Sequence, residues 1–166
     1  MPDTSQSWNL HHVGFVVPSI EDSVTDITNM LRATWAGRVF VDPLQRVRVT
    51  FLEVAAGQTM IELVEPVGSK SPVQRFLSAK GGGLHHLCYE VNDIGRELIH
   101  VRTCGGLMVA RPKPAVAFGG RRIAWCLSAS GLLVEFLEKY SVECVDSSAP
   151  PESGLGGEVV LQVVRS

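Results

Sequence analysis

No excess of basic charge is present: 15 Lys and Arg face 17 Asp and Glu across 166 residues, a formal net charge of −2. A chain so balanced has no electrostatic footprint for nucleic acid and no polybasic patch for a membrane surface. Nor does any apolar run approach the roughly 20 residues that span a bilayer. The start, Met1 to Asn9, is polar and lacks the basic and apolar regions of a signal peptide. A soluble, cytoplasmic protein without nucleic-acid or membrane partners is expected. Cysteine is sparse too. Cys88, Cys104, Cys126 and Cys144 are widely spaced with no CxxC pair, which argues against a zinc knuckle or a disulfide framework. Reduced, mostly buried thiols are expected instead.

What the chain does have is apolar mass and a repeat. Hydrophobic residues make up 45% of it, enough for one ordinary domain or two small fused modules. Leu10-His-His-Val-Gly-Phe-Val-Val17 recurs as Leu84-His-His-Leu-Cys-Tyr-Glu-Val91, and Ile61-Glu-Leu-Val-Glu65 recurs as Val134-Glu-Phe-Leu-Glu138. His12 and His86 are 74 residues apart, and Glu62 and Glu135 are 73 apart. Two distant pairs sharing nearly one offset indicate duplication.

Each module reads as βαβββ. In the first, strand 9–17 is followed by helix 19–32, with Ser19 as N-cap and acids in its first turn. Strands 38–42, 47–54 and 59–65 complete it. In the second, strand 84–91 leads to helix 93–103 and to strands near 107–111, 121–128 and 132–138. A short helix over 72–79, opened by Ser71-Pro72 and closed by Gly81-Gly82-Gly83, joins them. The fold class is α+β, one domain over 1–140: module 1 about 9–66, linker helix 71–80, module 2 about 83–140. Residues 141–166 read as a partly flexible C-terminal extension with a final strand at Val159 to Val164.

Strand alternation then sorts the side chains. Val13, Phe15 and Val17 share an apolar face suited to a covering helix, while His12, Gly14 and Val16 share the other. Leu87, Tyr89 and Val91 match the first set, and His86, Cys88 and Glu90 the second. By this rule His11 and His12 point opposite ways, leaving His11 and His85 as structural or rim residues. Glu62 and Glu135 each interrupt an otherwise apolar strand, whereas Glu65 and Glu138 fall on the opposite face and read as surface. A single strand histidine is ordinarily a hydrogen-bonded structural residue. Here all four positions recur in register, and a carboxylate in an apolar strand is costly to bury unless paired or bound to a cation. The expected ligand set for one divalent metal is therefore His12, Glu62, His86 and Glu135. Two imidazoles and two carboxylates suit an octahedral ion with two open positions: manganese, iron, cobalt or nickel before closed tetrahedral zinc, although zinc can expand its coordination.

On these residues the chain resembles the vicinal oxygen chelate superfamily of glyoxalase I, extradiol dioxygenases, bleomycin-resistance proteins and methylmalonyl-CoA epimerase. The matching stretches include LHHVGFVVPSIEDS, VRVTFLEV, IELVEP, SPVQRFL, GGGLHHLCYEVNDI and GGRRIAWCLSASGLLVEFLE. The look is nearest to the epimerase. The resemblance implies a glyoxalase-like cup of paired modules on a curved mixed sheet, a homodimer, and metal ligands at His12, Glu62, His86 and Glu135. It also implies proton abstraction next to a thioester or related carbonyl through a metal-stabilised enolate, with Glu135 doubling as ligand and base. The family's second base is a glutamate in a Pro-Glu-Gln-Gly context; here Asp42-Pro-Leu-Gln-Arg46 puts Leu44 in its place. Asp42 could substitute or could be a turn residue before Pro43. Arg121 and Arg122, after Gly119-Gly120, are candidate contacts for a substrate carboxylate or CoA phosphate. Trp35, Trp125 and Phe118 read as core. Two other functions fit the same residues: a glyoxalase I-type lyase acting on a thiol adduct, and an antibiotic-sequestering protein. Relatives of the sequestering kind generally lack the ligands kept here.

Overall fold

The computed structural model describes residues 8–54, 57 and 59–140. Cys144 and the expected extension over 141–166 lie outside the described residues. The elements run β1 (Asn9–Val16), α1 (Ile20–Leu31), β2 (Thr34–Asp42), β3 (Val47–Val54), β4 (Thr59–Pro66), α2 (Gln74–Lys80), β5 (Gly83–Val91), α3 (Ile94–Thr103), β6 (Leu107–Pro114), β7 (Arg122–Leu127) and β8 (Leu133–Glu138). One mixed eight-stranded sheet holds all the strands in the order β2-β3-β4-β1-β5-β8-β7-β6. Each half places its first strand parallel to its last, β1 with β4 and β5 with β8, and the halves join through the antiparallel β1–β5 pair. The duplication is thus built into a single continuous sheet.

Local chemistry sets the helix ends. The Ser19 hydroxyl accepts from the Asp22 N–H at 3.2 Å and caps α1; the Asp93 carboxylate accepts from the Arg96 N–H at 3.2 Å and caps α3. Gly81, at φ 73°, ends α2 with its N–H on the Leu77 carbonyl at 2.8 Å. β2 starts four residues before the expected 38, because Thr34 and Trp35 pair with Glu53 and Leu52 ahead of an irregularity that ends at Val39. Glu65, expected on the surface, is a structural acceptor. It receives the Ile20 N–H at 2.8 Å and an Arg48 guanidinium N–H at 2.9 Å, tying the start of α1 to the sheet.

Helices α1 and α3 cover one face of the sheet and the cup forms on the other. Under α1 lie Val17, Ile20, Val24, Leu52 and Leu63, with Phe15 beside them. Under α3 lie Val91, Ile94, Ala124, Cys126 and Phe136. Val16, Val47, Val49, Val64 and Val73 line one side of the cup, and Cys88, Ala115, Phe118, Ile123 and Leu137 the other. Phe118 belongs to a short 3₁₀ turn, Val116–Phe118, that the sequence pattern does not announce. Cys88 and Cys126 are buried free thiols and Cys104 is an exposed one. No helix among the described residues is long and apolar enough to cross a membrane.

Candidate metal centre

The four central strands, β4, β1, β5 and β8, each present one buried hydrophilic side chain to the cup: Glu62, His12, His86 and Glu135. On a flat sheet the outer two of these strands would lie about 14 Å apart, three spacings of about 4.8 Å. Curvature closes that gap. His12 Nε2 lies 3.1 Å from His86 Nε2, 3.4 Å from Glu62 Oε2 and 3.3 Å from Glu135 Oε2. His86 Nε2 is 3.4 Å from Glu62 Oε2 and 3.8 Å from Glu135 Oε2. The four side chains are buried, at 0% exposure for His12, 6% for Glu62, 2% for His86 and 2% for Glu135. The pocket is assembled within one chain.

Two nitrogens and two oxygens aimed at one buried point repel one another unless a proton or a cation sits between them. Glu135 Oε2 is fully buried and has no hydrogen-bond partner. His12, His86 and Glu135 also form a cluster whose donor atoms lie within 4.8 Å of one another. A divalent ion fits this donor set, relieving the orphaned oxygen and the nitrogen–nitrogen contact together.

Without a cation the pocket takes up a proton. Burial alone disfavours a charged His12, but Glu62 and then Glu135 outweigh it and raise its pKa from 6.5 to about 9. Burial likewise pushes the Glu62 carboxyl up, and the facing His12 and His86 more than reverse this, holding it well below the usual carboxylate range. The two shifts describe one interaction. His11 and His85 shift the other way: burial first, then the neighbouring His12 or His86, lowers each to about 4.

These directions set a pH prediction for the metal-free protein. A raised His12 contributes stability that is complete below pH 6.5 and disappears as pH climbs through about 9. Neutral His11 and His85 cost stability as pH falls from 6.5 toward 4, where the unfolded chain binds protons and the folded one does not. The melting temperature in chelator is therefore expected to peak near pH 6.5 and to fall on both sides. Scanning calorimetry from pH 4 to 9 checks this; a melting temperature that keeps rising to pH 9 contradicts it.

Around the donors lies a cavity of about 240 Å³ with mostly apolar walls, including Val47, Val49, Val73, Phe118 and Trp125. Trp125 and Phe118, expected as core, are walls of the site. The Phe118 ring stacks on His12 at 5.8 Å, and Trp125 meets His86 edge-on at 4.7 Å. Trp35 is not among the walls, its indole N–H donating to Thr50 Oγ1 at 2.8 Å. The Cys88 thiol is held protonated by burial and then by Glu135.

The remaining candidates have other partners. Arg121 donates to Glu90 at 2.6 Å and lies over the Tyr140 and Phe118 rings; Arg122 grips Glu138 with bonds of 2.7 and 2.6 Å. Neither lines the cavity, so a free basic pair at its rim is replaced by two internal ion pairs. The cation on the wall is Lys113, half-buried and without an ion pair or hydrogen bond among the described residues. The Asp42 carboxylate accepts from the backbone N–H groups of Gln45 at 2.9 Å and Val116 at 3.2 Å, so it pins the β2–β3 turn to the 3₁₀ turn. Leu44 is 64% exposed on that turn and is not among the cavity walls.

The chain and its fold are similar to those of known proteins. Residues 11–125 match the family model described as the glyoxalase/bleomycin resistance protein/dioxygenase superfamily. The chain is 31% identical over 135 residues to a mitochondrial methylmalonyl-CoA epimerase of Dictyostelium discoideum, covering 78% of each protein. It is 32% identical over 129 residues to an ethylmalonyl-CoA/methylmalonyl-CoA epimerase of Cereibacter sphaeroides, covering 76% of this chain and 94% of that one. The crystal structure of methylmalonyl-CoA epimerase from Mycobacterium tuberculosis superposes with a TM-score of 0.69 over 78% of this chain and 87% of that one; at 24% identity it speaks for the shared fold.

Proposed function

The chain belongs to the glyoxalase/bleomycin resistance protein/dioxygenase superfamily, and from that footing we propose that it is a divalent-metal epimerase of the methylmalonyl-CoA epimerase kind. Its substrate would be a short branched acyl thioester with an acidic α-hydrogen. The carrying observation is the convergence of His12, Glu62, His86 and Glu135, with an unpartnered Glu135 oxygen, beneath an apolar cavity. Manganese, iron, cobalt or nickel fits the donor set best. When bound, the ion supplies electrostatic stabilisation of the charge that develops on the substrate's carbonyl oxygen. Cytoplasmic placement and a homodimer belong to the same reading.

The chain's own residues supply the rest. Glu135 is the group proposed to take the α-proton, because its buried carboxylate lines the cavity that would hold the acyl group. Phe118, Trp125 and the valines keep water from the reacting carbon, which strengthens every charge interaction inside. The cavity sits at the small end of ligand pockets. It suits an acyl group and leaves the nucleotide part of a CoA ester outside.

Incubation with methylmalonyl-CoA in heavy water, with each metal added in turn, tests the proposal. Deuterium is expected at the α-carbon only in the loaded protein. Absence of exchange with every metal and every short acyl-CoA would sink it; exchange confined to a hemithioacetal substrate would favour the glyoxalase I-type reading.

Two further results are expected. With Leu44 exposed where the second base is looked for, and the Asp42 carboxylate on the cavity wall already engaged by the Gln45 and Val116 N–H groups, one face of the substrate has no free carboxylate partner. Isotope exchange should then outpace inversion; equal rates in the unaltered protein contradict this. Lys113→Met should raise KM for a carboxylated acyl-CoA by about tenfold, the loss of about 1.4 kcal/mol from one charge-assisted bond, and leave kcat within a few-fold. An unchanged KM would show that Lys113 does not meet the substrate.

A further inference from the structure

Strand geometry turns adjacent residues to opposite faces, yet both histidines of each Leu-His-His segment face the cup. The cause is a break in register in each copy. Between β1 and β5, Leu10 pairs with Tyr89 and His12 with Cys88, leaving His11 out of the ladder; farther on, Gly14 pairs with His86 and Phe15 with Leu84, leaving His85 out. Each extra residue rotates its side chain inward, as a β-bulge does. The result is the same contact twice. His11 Nδ1 lies 2.9 Å from His12 Nδ1, and His85 Nδ1 lies 3.0 Å from His86 Nδ1. The ring planes cross at 78° and 89°. Aromatic neighbours hold the outer rings: Phe118 at 5.4 Å beside His11, and Phe76 at 4.9 Å beside His85.

We propose that His11 and His85 are a matched pair of positioning residues that set the tautomer of His12 and His86 and aim their Nε2 atoms into the metal pocket. This rests on the metal reading above. One proton occupies each Nδ1–Nδ1 contact. An imidazole that offers the Nε2 lone pair to a cation carries its proton on Nδ1. His12 and His86 therefore donate, His11 and His85 accept, and the outer rings carry their own protons on Nε2. With the proton placed the other way, His12 and His86 would present N–H groups to the ion.

The choice of acceptor has a charge logic. Metal-binding histidines are usually oriented by a carboxylate, a backbone carbonyl or water. This pocket already holds Glu62 and Glu135, whose two negative charges balance one divalent ion. A carboxylate behind each ligand histidine would leave surplus negative charge in an apolar, buried site. A neutral imidazole orients the ring without adding charge, at the cost of being the weaker acceptor.

The zinc-loaded, ¹⁵N-labelled protein tests this directly, zinc being diamagnetic. Long-range ¹H–¹⁵N correlation is expected to show His11 and His85 protonated on Nε2, and His12 and His86 protonated on Nδ1. Metal competition titrations supply the second readout. His11→Leu and His85→Leu should each weaken zinc and manganese binding by about 10- to 100-fold. His11→Asn and His85→Asn, with an amide oxygen near the place of Nδ1, should stay within a few-fold of the unaltered protein. Outer rings protonated on Nδ1, or leucine variants that bind as tightly as the original, overturn the proposal while leaving the metal site standing. Failure of the unaltered protein to bind either metal overturns both. If a leucine variant does not fold, the tautomers of the unaltered protein still decide.

Discussion

Glu135→Gln is expected to lower α-proton exchange by about 10³-fold or more and to weaken metal binding as well. Glutamine keeps the size and the strand pairing of β8, so the fold is retained. What it removes is a base, a contribution of about 10² to 10⁴ in rate, together with one of the two charges that balance the ion. The effect should exceed that of Glu62→Gln, because both carboxylates are proposed as ligands but only Glu135 is proposed to reach the substrate carbon. Single-turnover exchange at saturating metal separates the two contributions. If Glu135→Gln, fully loaded, exchanged at a rate near the original, Glu135 would be a ligand and some other group the base.

Gly14→Ala is the second large effect, and it comes from a residue with no chemistry of its own. Gly14 pairs with His86 across the β1–β5 seam, and the His86 ring occupies the space where a Cβ would stand. A Cβ at Gly14 would stand 1.9 Å from His86 Cε1, 2.3 Å from Nδ1 and 2.5 Å from Nε2. No rotation of a methyl group relieves that. His86 must leave its rotamer, which breaks both its bond to His85 and its place in the donor set. Metal affinity is expected to fall by more than about 100-fold, beyond the range for losing a supporting contact alone. The fold should lose about 1 to 3 kcal/mol, the cost of overpacking. Competition titration and thermal melts in chelator measure the two separately. Retention of full metal affinity in Gly14→Ala would mean that His86 is not held over Gly14 in solution.

These two sites differ in how legible they were. The Glu135 position could be read from Val134-Glu-Phe-Leu-Glu138 because an acidic residue inside an apolar alternation is conspicuous, and because the first copy repeats it at Glu62. Gly14 read only as a small residue on the cup face beside His12. Its importance depends on which residue of β5 lies opposite, and register between strands far apart in the chain leaves no mark on either strand. The same limit hid the inward turn of His11 and His85. Alternation forbids two neighbours on one face, and only a misfit between paired strands allows it. The ion pairs of Arg121 and Arg122 were hidden for a related reason: their partners Glu90 and Glu138 lie 31 and 16 residues away and come close only through sheet order. Lys113 carried no local signal, since a lysine near a strand end is ordinarily solvated.

By itself, then, the sequence determined the modules, their duplication and the four side chains that converge. Periodicity, capping and repetition are local properties, and each leaves a trace within a few residues of the chain. Only the tertiary structure decided how the halves join, through β1 and β5, and how far the sheet curves to bring the carboxylates of β4 and β8 each within 3.8 Å of the two imidazoles between them. It also decided which aromatics wall the cavity and that each ligand histidine has another histidine behind it. Those features follow from strand register and from packing across the core, where every contact joins residues distant in sequence and the lowest free energy belongs to the whole sheet.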